Sequence, residues 1–383
     1  MADKHQPLIN GICEARFRKV REEFTENFES RHERGGAVAV WHGGQLVVDL
    51  WGGWSDLERT VPWGRDTILN VFSVSKALCA IAVMRLVDQS LLDLDRRVSD
   101  YWSEFAQGGK GDVTVRQLMS HQAGLPAIRK PLPDGAALDW DVITGALAEQ
   151  EPWWKPGTAH GYHVNTFGFL AGELVRRVSG RTIGRFVREE VAEPLGADIH
   201  IGLPRAEHYR VSDFRWPGNP IKPAIDTDDA LMRWNTYWNP PGFSGFHWVN
   251  TARWREAEVP STNGHGNARG IARVYAALAD GGTIDGVRLL TEEALAQATT
   301  EQVNGPDIIN QRPSRFGIGF QLTQPDRPLG PHRGAFGHFG AGGSLGFCDP
   351  EARIAFGYVT NDMGPRWQSP RNRALIDAVY ASL

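Results

Sequence analysis

Ser73 and Lys76 stand three residues apart in the run Ser73-Val74-Ser75-Lys76. On a helix that spacing puts both side chains on one face, close enough to touch. A serine hydroxyl attacks a carbonyl carbon only when a neighbouring base takes its proton, and a lysine becomes such a base once burial lowers its pKa. The residues after Lys76, ALCAIAVMRLV, are almost wholly apolar, so the helix they predict is buried and its lysine partly desolvated. Ser75 is adjacent to Lys76, points away from it on the same helix, and is the weaker nucleophile. The pattern alone also fits a serine near a helix start followed by an unremarkable lysine, so the wider sequence has to decide.

A second serine competes. Gly342-Gly343-Ser344-Leu345-Gly346 satisfies G-x-S-x-G, the sharp strand-to-helix turn that presents a nucleophile in other hydrolases. Here the motif runs into Phe347-Cys348-Asp349-Pro350 and then another strand-like run, so a glycine-rich hairpin is expected and Ser344 is read as a decoy. There is no Walker A loop, no G-x-G-x-x-G and no H-E-x-x-H. His160 and His163 lie three apart without a nearby third ligand, so neither a metal nor a cofactor is expected.

The elements that must position Ser73 follow from periodicity. Ile12, Phe17, Val20, Phe24 and Phe28 recur at helical spacing and predict an amphipathic helix. AVAVWHGGQLVVDLWGG predicts a hairpin turning at His42-Gly43-Gly44. A mostly helical stretch runs from about Ser73 to Leu195. From Phe214 to Trp254 the chain is rich in Pro, Gly, Asn and Trp and predicts a long ordered loop or a set of short helices. FGIGFQLT, SLGFCDP and RIAFGYVTN return to β patterning, and a helix from about Arg371 to Ala381 closes the chain. Strands at both ends with helices between them predict one sheet assembled from distant segments. The expected division is an α/β sub-domain of residues 10–75 and 255–383, with an inserted helical sub-domain of residues 76–254.

Composition narrows the function classes. With 383 residues, 41% hydrophobic and 22% charged, the chain can build a sizeable core. Lys and Arg total 41 against 45 Asp and Glu, a formal charge of −4, which gives no basic surface for nucleic acid. Cys13, Cys79 and Cys348 are far apart and odd in number, against a disulfide scaffold. The opening MADKHQPLING lacks an apolar core, and the longest apolar stretch, Ala77 to Met84, is too short to span a bilayer. A cytoplasmic chain with no membrane partner is expected; a homo-oligomer is left open.

Four landmarks in order carry a resemblance. Asn70-Val71-Phe72-Ser73-Val74-Ser75-Lys76 resembles the S-x-x-K box of serine β-lactamases and penicillin-binding proteins. Leu118-Met119-Ser120-His121-Gln122-Ala123-Gly124-Leu125-Pro126 is similar to their L-L-x-H-x-S-G-L-P segment. Pro156-Gly157-Thr158, then Gly161-Tyr162-His163-Val164-Asn165-Thr166-Phe167-Gly168, resembles the tyrosine box of the class C and esterase branches. Phe336-Gly337-His338-Phe339-Gly340-Ala341 resembles the third box, where β-lactamases have K-T-G.

Within that superfamily the chain most resembles the family VIII carboxylesterases. The resemblance implies an α/β fold of the α+β type, with an antiparallel sheet flanked by helices, and a small-molecule ester as substrate. It implies Ser73 as nucleophile, Lys76 assisting its deprotonation, Tyr162 as general base and later proton donor, and an oxyanion hole from the backbone N–H groups of Ser73 and Ala341. A tyrosine can act as base only if a cation stabilises its phenolate, and Lys76 is the candidate. His338 either bridges strands or stands beside the pocket with Gly340 and Asn165, and Arg333 is a candidate replacement cation. Trp153 and Trp238 belong to an aromatic-rich set that lines a pocket or packs the sub-domain. A β-lactamase, a D-amino-acid peptidase, an acyltransferase and an inactive ligand-binding homologue remain the alternatives.

Overall fold

A computed structural model describes residues 8–218, 221–364 and 368–383. Nine strands form one sheet: β1 (Asn10–Cys13), β2 (Gly35–His42), β3 (Gln45–Gly53), β4 (Val303–Asp307), β5 (Arg312–Phe316), β6 (Gln321–Leu322), β7 (Phe336–Phe339), β8 (Leu345–Asp349) and β9 (Ile354–Thr360). Their spatial order is β1-β3-β2-β9-β8-β7-β6-β5-β4, with every neighbouring pair antiparallel. The two ends of the chain meet at the centre, where β2 pairs with β9 from His42↔Ile354 to Gly36↔Thr360. That junction makes the sheet from distant segments that the sequence pattern implies.

The central strands are apolar on both sides because both faces are covered. On one face α5 (Ala268–Ala279) packs over β2, β8 and β9. On the other, Phe17, Val20 and Phe24 near and within α1 (Arg18–Glu29) join Leu375, Ile376 and Val379 of α6 (Pro370–Tyr380) in one buried cluster with Val38, Val40, Phe347 and Phe356. The hairpin turns at Gly43 and Gly44, with φ of 57° and 82°, the left-handed pair that a two-residue turn between twisted strands requires.

Two expectations change. Ile12 does not begin the first helix: it sits in β1 opposite Asp49, with 58% of its surface exposed, and the α-helix starts at Arg18. The free edge of β3 captures residues 10–13 by backbone pairing, which outweighs a periodicity that was partly coincidental. FGIGFQLT is not one strand, because Gly317-Ile318-Gly319 reverses the chain between β5 and β6, with Gly319 at φ 74° donating its N–H to Met119 O at 2.9 Å. In the Trp-rich stretch, residues 228–238 form a three-turn helix, α4 (Asp228–Trp238), capped by Thr227.

The helix after Ser73, α2 (Lys76–Asp88), has buried residues around its whole circumference. Such a helix runs through the middle of a structure rather than along its surface. It packs chiefly against α3 (Thr166–Ser179), the helix that follows the tyrosine box. Among the described residues no helix is long and apolar enough to cross a membrane.

The C-terminal helix is tied to the sheet by a buried ion pair. Arg371 Nη1 donates to Glu33 Oε1 at 2.9 Å, Thr360 Oγ1 donates to the same oxygen at 2.6 Å, and Tyr358 Oη donates to Glu33 Oε2. Removing one partner of a buried pair leaves the other charge uncompensated, at a cost of about 3–5 kcal/mol. Arg371→Met should therefore lower the unfolding free energy by that order in urea titrations. The double variant Glu33→Gln, Arg371→Met should recover part of the loss.

Candidate active site

Ser73 lies in the 3-10 turn Phe72–Ser75 that opens α2. Phe72 has a left-handed φ of 50°, a conformation that costs a non-glycine residue roughly 1–2 kcal/mol. Its buried ring holds the turn in place, with edge contacts to Phe214 at 4.7 Å and Trp216 at 6.0 Å between centroids. Strain of this kind, held by packing, is a recurrent device for fixing a reactive residue. Ser75 is spent locally: its hydroxyl donates to Phe72 O at 2.6 Å.

Lys76 is completely buried and lies 3.0 Å from Ser73 Oγ. Its Nζ also donates to Val164 O at 2.6 Å and to Ser261 O at 3.1 Å. Among the described residues it has no carboxylate partner, and burial pushes its pKa well below the ordinary lysine value. A neutral amine has two N–H bonds and one lone pair. With the two carbonyls taking both N–H groups, a neutral amine placed here would turn its lone pair to the Ser73 hydroxyl.

Tyr162 is also buried, and burial raises its pKa well above the ordinary phenol value against a hydrogen bond with Ser73. Its Oη lies 3.4 Å from His338 Nε2. His338 Nδ1 is 2.8 Å from Phe339 O, an acceptor, so Nδ1 carries the proton and Nε2 is bare. Burial first, and Lys76 second, depress the pKa of His338 to about 3, so the ring is neutral at pH 7. The tyrosine is therefore held as a phenol between a serine oxygen and an imidazole acceptor.

Its placement depends first on Asp307, which lies in none of the motifs. Asp307 in β4 accepts the Tyr162 backbone N–H at 3.1 Å, those of Ile309 and Asn310 at 2.9 Å each, and the Ser314 hydroxyl at 2.9 Å. The Tyr162 ring stacks on Phe316 at 5.8 Å and meets the edge of His121 at 5.1 Å. His121 Nδ1 accepts the His163 N–H at 3.2 Å, and His163 Nε2 accepts the Leu125 N–H at 3.0 Å. The two histidines thus join the second landmark to the tyrosine box rather than binding an ion. Among the described residues no group of side chains has the makings of a metal site.

Ser73, Tyr162 and Ala341 line one cavity of about 150 Å³, whose other walls include Phe72, Val164, Trp216, Tyr237, Trp238 and Met363. Ser73 and Ala341 each stand in the first turn of a short 3-10 segment, where N–H groups have no acceptor within the helix. Gly340 explains itself sterically: a Cβ there would lie 2.5 Å from Val71 O, so only glycine lets the end of β7 close on the Ser73 turn. Asn165 lines the cavity, but its amide group is occupied, donating to Thr236 O and Ser244 Oγ at 2.9 Å each and accepting from Thr262 Oγ1 at 2.7 Å.

Trp238 lines the cavity as well, stacked on Trp234 at 5.6 Å. Trp153 lies outside that lining; its Nε1 donates to Ala127 O at 2.8 Å and the Arg129 guanidinium covers its ring at 3.7 Å. Arg333 is exposed and ion-paired with Glu301 at 3.4 Å, also away from the cavity lining. Ser344 precedes β8, which turns through Pro350 into β9, so strand-turn-strand replaces the strand-turn-helix that a nucleophile elbow needs.

Comparison with known proteins identifies the family. The chain is 37% identical over 362 residues to the esterase/beta-lactamase LipL of Mycobacterium tuberculosis, covering 92% of this chain and 83% of that protein. It is 26% identical to esterase EstB of Burkholderia gladioli, covering 94% and 93% of the two chains. A crystal structure of a family VIII carboxylesterase superposes with a TM-score of 0.91 at 42% identity, covering 98% of this chain and all of that one. The beta-lactamase family model matches residues 18–381, almost the whole of the fold described above, and the chain belongs to that family.

Proposed function

We propose that the protein is a serine carboxylesterase that hydrolyses small, short-chain carboxylic esters through an acyl-enzyme on Ser73. The observation that carries this reading is the desolvated Lys76 amine, 3.0 Å from Ser73 Oγ at the wall of a mostly apolar cavity. In acylation Lys76 Nζ takes the Ser73 proton while Oγ bonds to the ester carbonyl carbon. The N–H groups of Ser73 and Ala341 receive the negative charge that develops on the carbonyl oxygen. The proton then passes through Tyr162 Oη to the departing alkoxide, and the alcohol leaves. Water repeats the sequence in reverse roles and frees the acid. A cavity of about 150 Å³ holds about five water volumes, which suits a short acyl chain.

This assignment shifts the base from Tyr162, where the resemblance puts it, to Lys76. The physical reason is burial: it favours the neutral form of both groups, and a neutral amine is a base whereas a neutral phenol is not. Ester turnover then requires unprotonated Lys76. A plot of kcat/KM against pH should fall on the acid side as pH drops through a lysine pKa that lies well below the ordinary value. A rate that keeps climbing toward the ordinary lysine value of about 10.4 would instead mean a charged Lys76 and a tyrosinate base. Linkage has the same direction: the unfolded chain binds this proton more tightly, so Lys76 contributes stability that grows as pH rises toward the unfolded value and is absent below the folded one.

The nucleophile is tested by substitution. Ser73→Ala should remove nearly all ester turnover and abolish labelling by a fluorophosphonate, whereas Ser344→Ala should keep a substantial share of both. A trapped acyl group mapped to a Ser344 peptide would reverse the assignment.

Esters should be preferred to β-lactams. In the β-lactamases that the third box resembles, a lysine there anchors the antibiotic's carboxylate, and a charged hydrogen bond of that kind contributes roughly 1.5–3 kcal/mol. Here His338 is neutral with its one N–H committed to Phe339 O. The second anchor, an asparagine amide two residues after the tyrosine, is replaced by Val164. The loss of both should depress kcat/KM for nitrocefin by about two to four powers of ten. The check is kcat/KM for nitrocefin and for a short-chain p-nitrophenyl ester in one buffer, and a nitrocefin value equal to the ester's would favour the β-lactamase alternative.

A further inference from the structure

A cavity of about 450 Å³ lies behind the catalytic wall, lined by Phe28, Trp54, Arg34, Arg59 and Arg215 together with His32, Glu33 and Asp362. The two cavities share a wall built by strand alternation. Arg215 pairs in parallel with Asp362, its N–H donating to Asn361 O at 2.9 Å and its carbonyl accepting the Met363 N–H at 3.1 Å. Successive residues of an extended chain face opposite sides. Trp216 and Met363 accordingly line the catalytic cavity, while Arg215 and Asp362 line this one.

The charges do not balance. Glu33 is neutralised from the buried side by Arg371, and Asp362 forms a two-pronged pair with Arg215 at 2.8 and 2.9 Å. The Arg34 guanidinium donates to the backbone carbonyl of Leu57 while its backbone N–H donates to Glu33 Oε1 at 3.3 Å, and among the described residues neither the Arg34 nor the Arg59 guanidinium forms an ion pair with a carboxylate. Asp56, another acid that acts on Arg34, uses its carboxylate to hold the loop, accepting the N–H groups of Thr60 and Val61 at 2.9 Å. That loop carries Arg59 at a left-handed φ of 62°. Burial, then Arg59, lower the pKa of Arg34 despite the nearby acids, as expected where guanidinium groups converge.

We propose that this arginine-walled cavity binds the phosphate group of a small molecule, with Arg34 and Arg59 supplying the donors and Trp54 and Phe28 the apolar wall. Planar guanidinium groups match phosphate oxygens two at a time, and an aromatic wall accepts the organic part of a phosphate ester. The phosphate can belong to an organic ester or to an inorganic polyphosphate, and the chemistry of the arginines is common to both.

The test is isothermal titration of the full chain with phenyl phosphate and with pyrophosphate, at an ionic strength fixed with sodium chloride. Saturable one-to-one binding is expected, weakened at least tenfold by Arg59→Ala, with ester kcat/KM unchanged in the variant because Arg59 is outside the catalytic cavity. Arg34→Gln, which keeps a donor for Leu57 O, should weaken binding in the same way. Tighter binding of phenyl phosphate assigns the site to organic phosphates, and tighter binding of pyrophosphate to inorganic ones. Absence of saturable heat with both probes, or an affinity untouched by either substitution, would overturn the proposal.

Discussion

The site depends on keeping one ammonium group out of water. Lys76 enters a helix that is buried on all sides, and among the described residues its Nζ hydrogen-bonds two carbonyl oxygens and a hydroxyl. A charge in that position would lack a counter-ion, so burial holds the pKa of the amine well below the ordinary lysine value. Everything nearby is consistent with that condition. Val164 O comes from the tyrosine box and Ser261 O from a loop far along the chain, so the tyrosine box and the loop leading toward α5 must be docked before the lysine environment exists.

Positioning around that amine relies on a few tight backbone contacts. Phe72 accepts a left-handed conformation because Phe214 and Trp216 clamp its ring. Gly340 permits β7 to approach Val71 more closely than any side chain would allow. The result brings Ser73 and Ala341 to one small cavity, from segments nearly 270 residues apart. Asp307 supports the other side by fixing the backbone of Tyr162. Donors fixed in this way need little reorganisation when charge develops on a carbonyl oxygen.

The third box illustrates how one fold supports different substrates. With His338 in place of a lysine, the ring is tied to its own strand through Phe339 O and offers only a bare nitrogen toward Tyr162. The position keeps a contact with Tyr162 and carries no cation at neutral pH. Asn165, next to the position of the missing amide anchor, braces α4 and the Thr262 loop instead of facing the substrate with free donors. The wall this produces is aromatic and largely apolar, with Tyr237, Trp238 and Trp216 among its members.

Much of this was legible in the amino-acid order. A serine three residues before a lysine, with an apolar run behind it, specifies a shared helical face and a dry environment, because both follow from local geometry and hydrophobicity. The hairpin at Gly43-Gly44 and a sheet drawn from both ends of the chain are likewise encoded by turn chemistry and strand pattern. The charge states were not. Resemblance alone put the base at Tyr162, whereas the depth of burial of Lys76 and Tyr162 depends on which distant segments pack over them. The orientation of His338, the bracing of Asn165 and the position of Trp153 outside the cavity lining were decided the same way, by hydrogen-bond partners many residues away. Residues 10–13 became a strand rather than helix because β3 offered them an open edge. Sequence determined which groups could react; only the tertiary structure decided how deeply they are buried and so which way their pKa values move, since desolvation is a property of the assembled surroundings and not of neighbours in the chain.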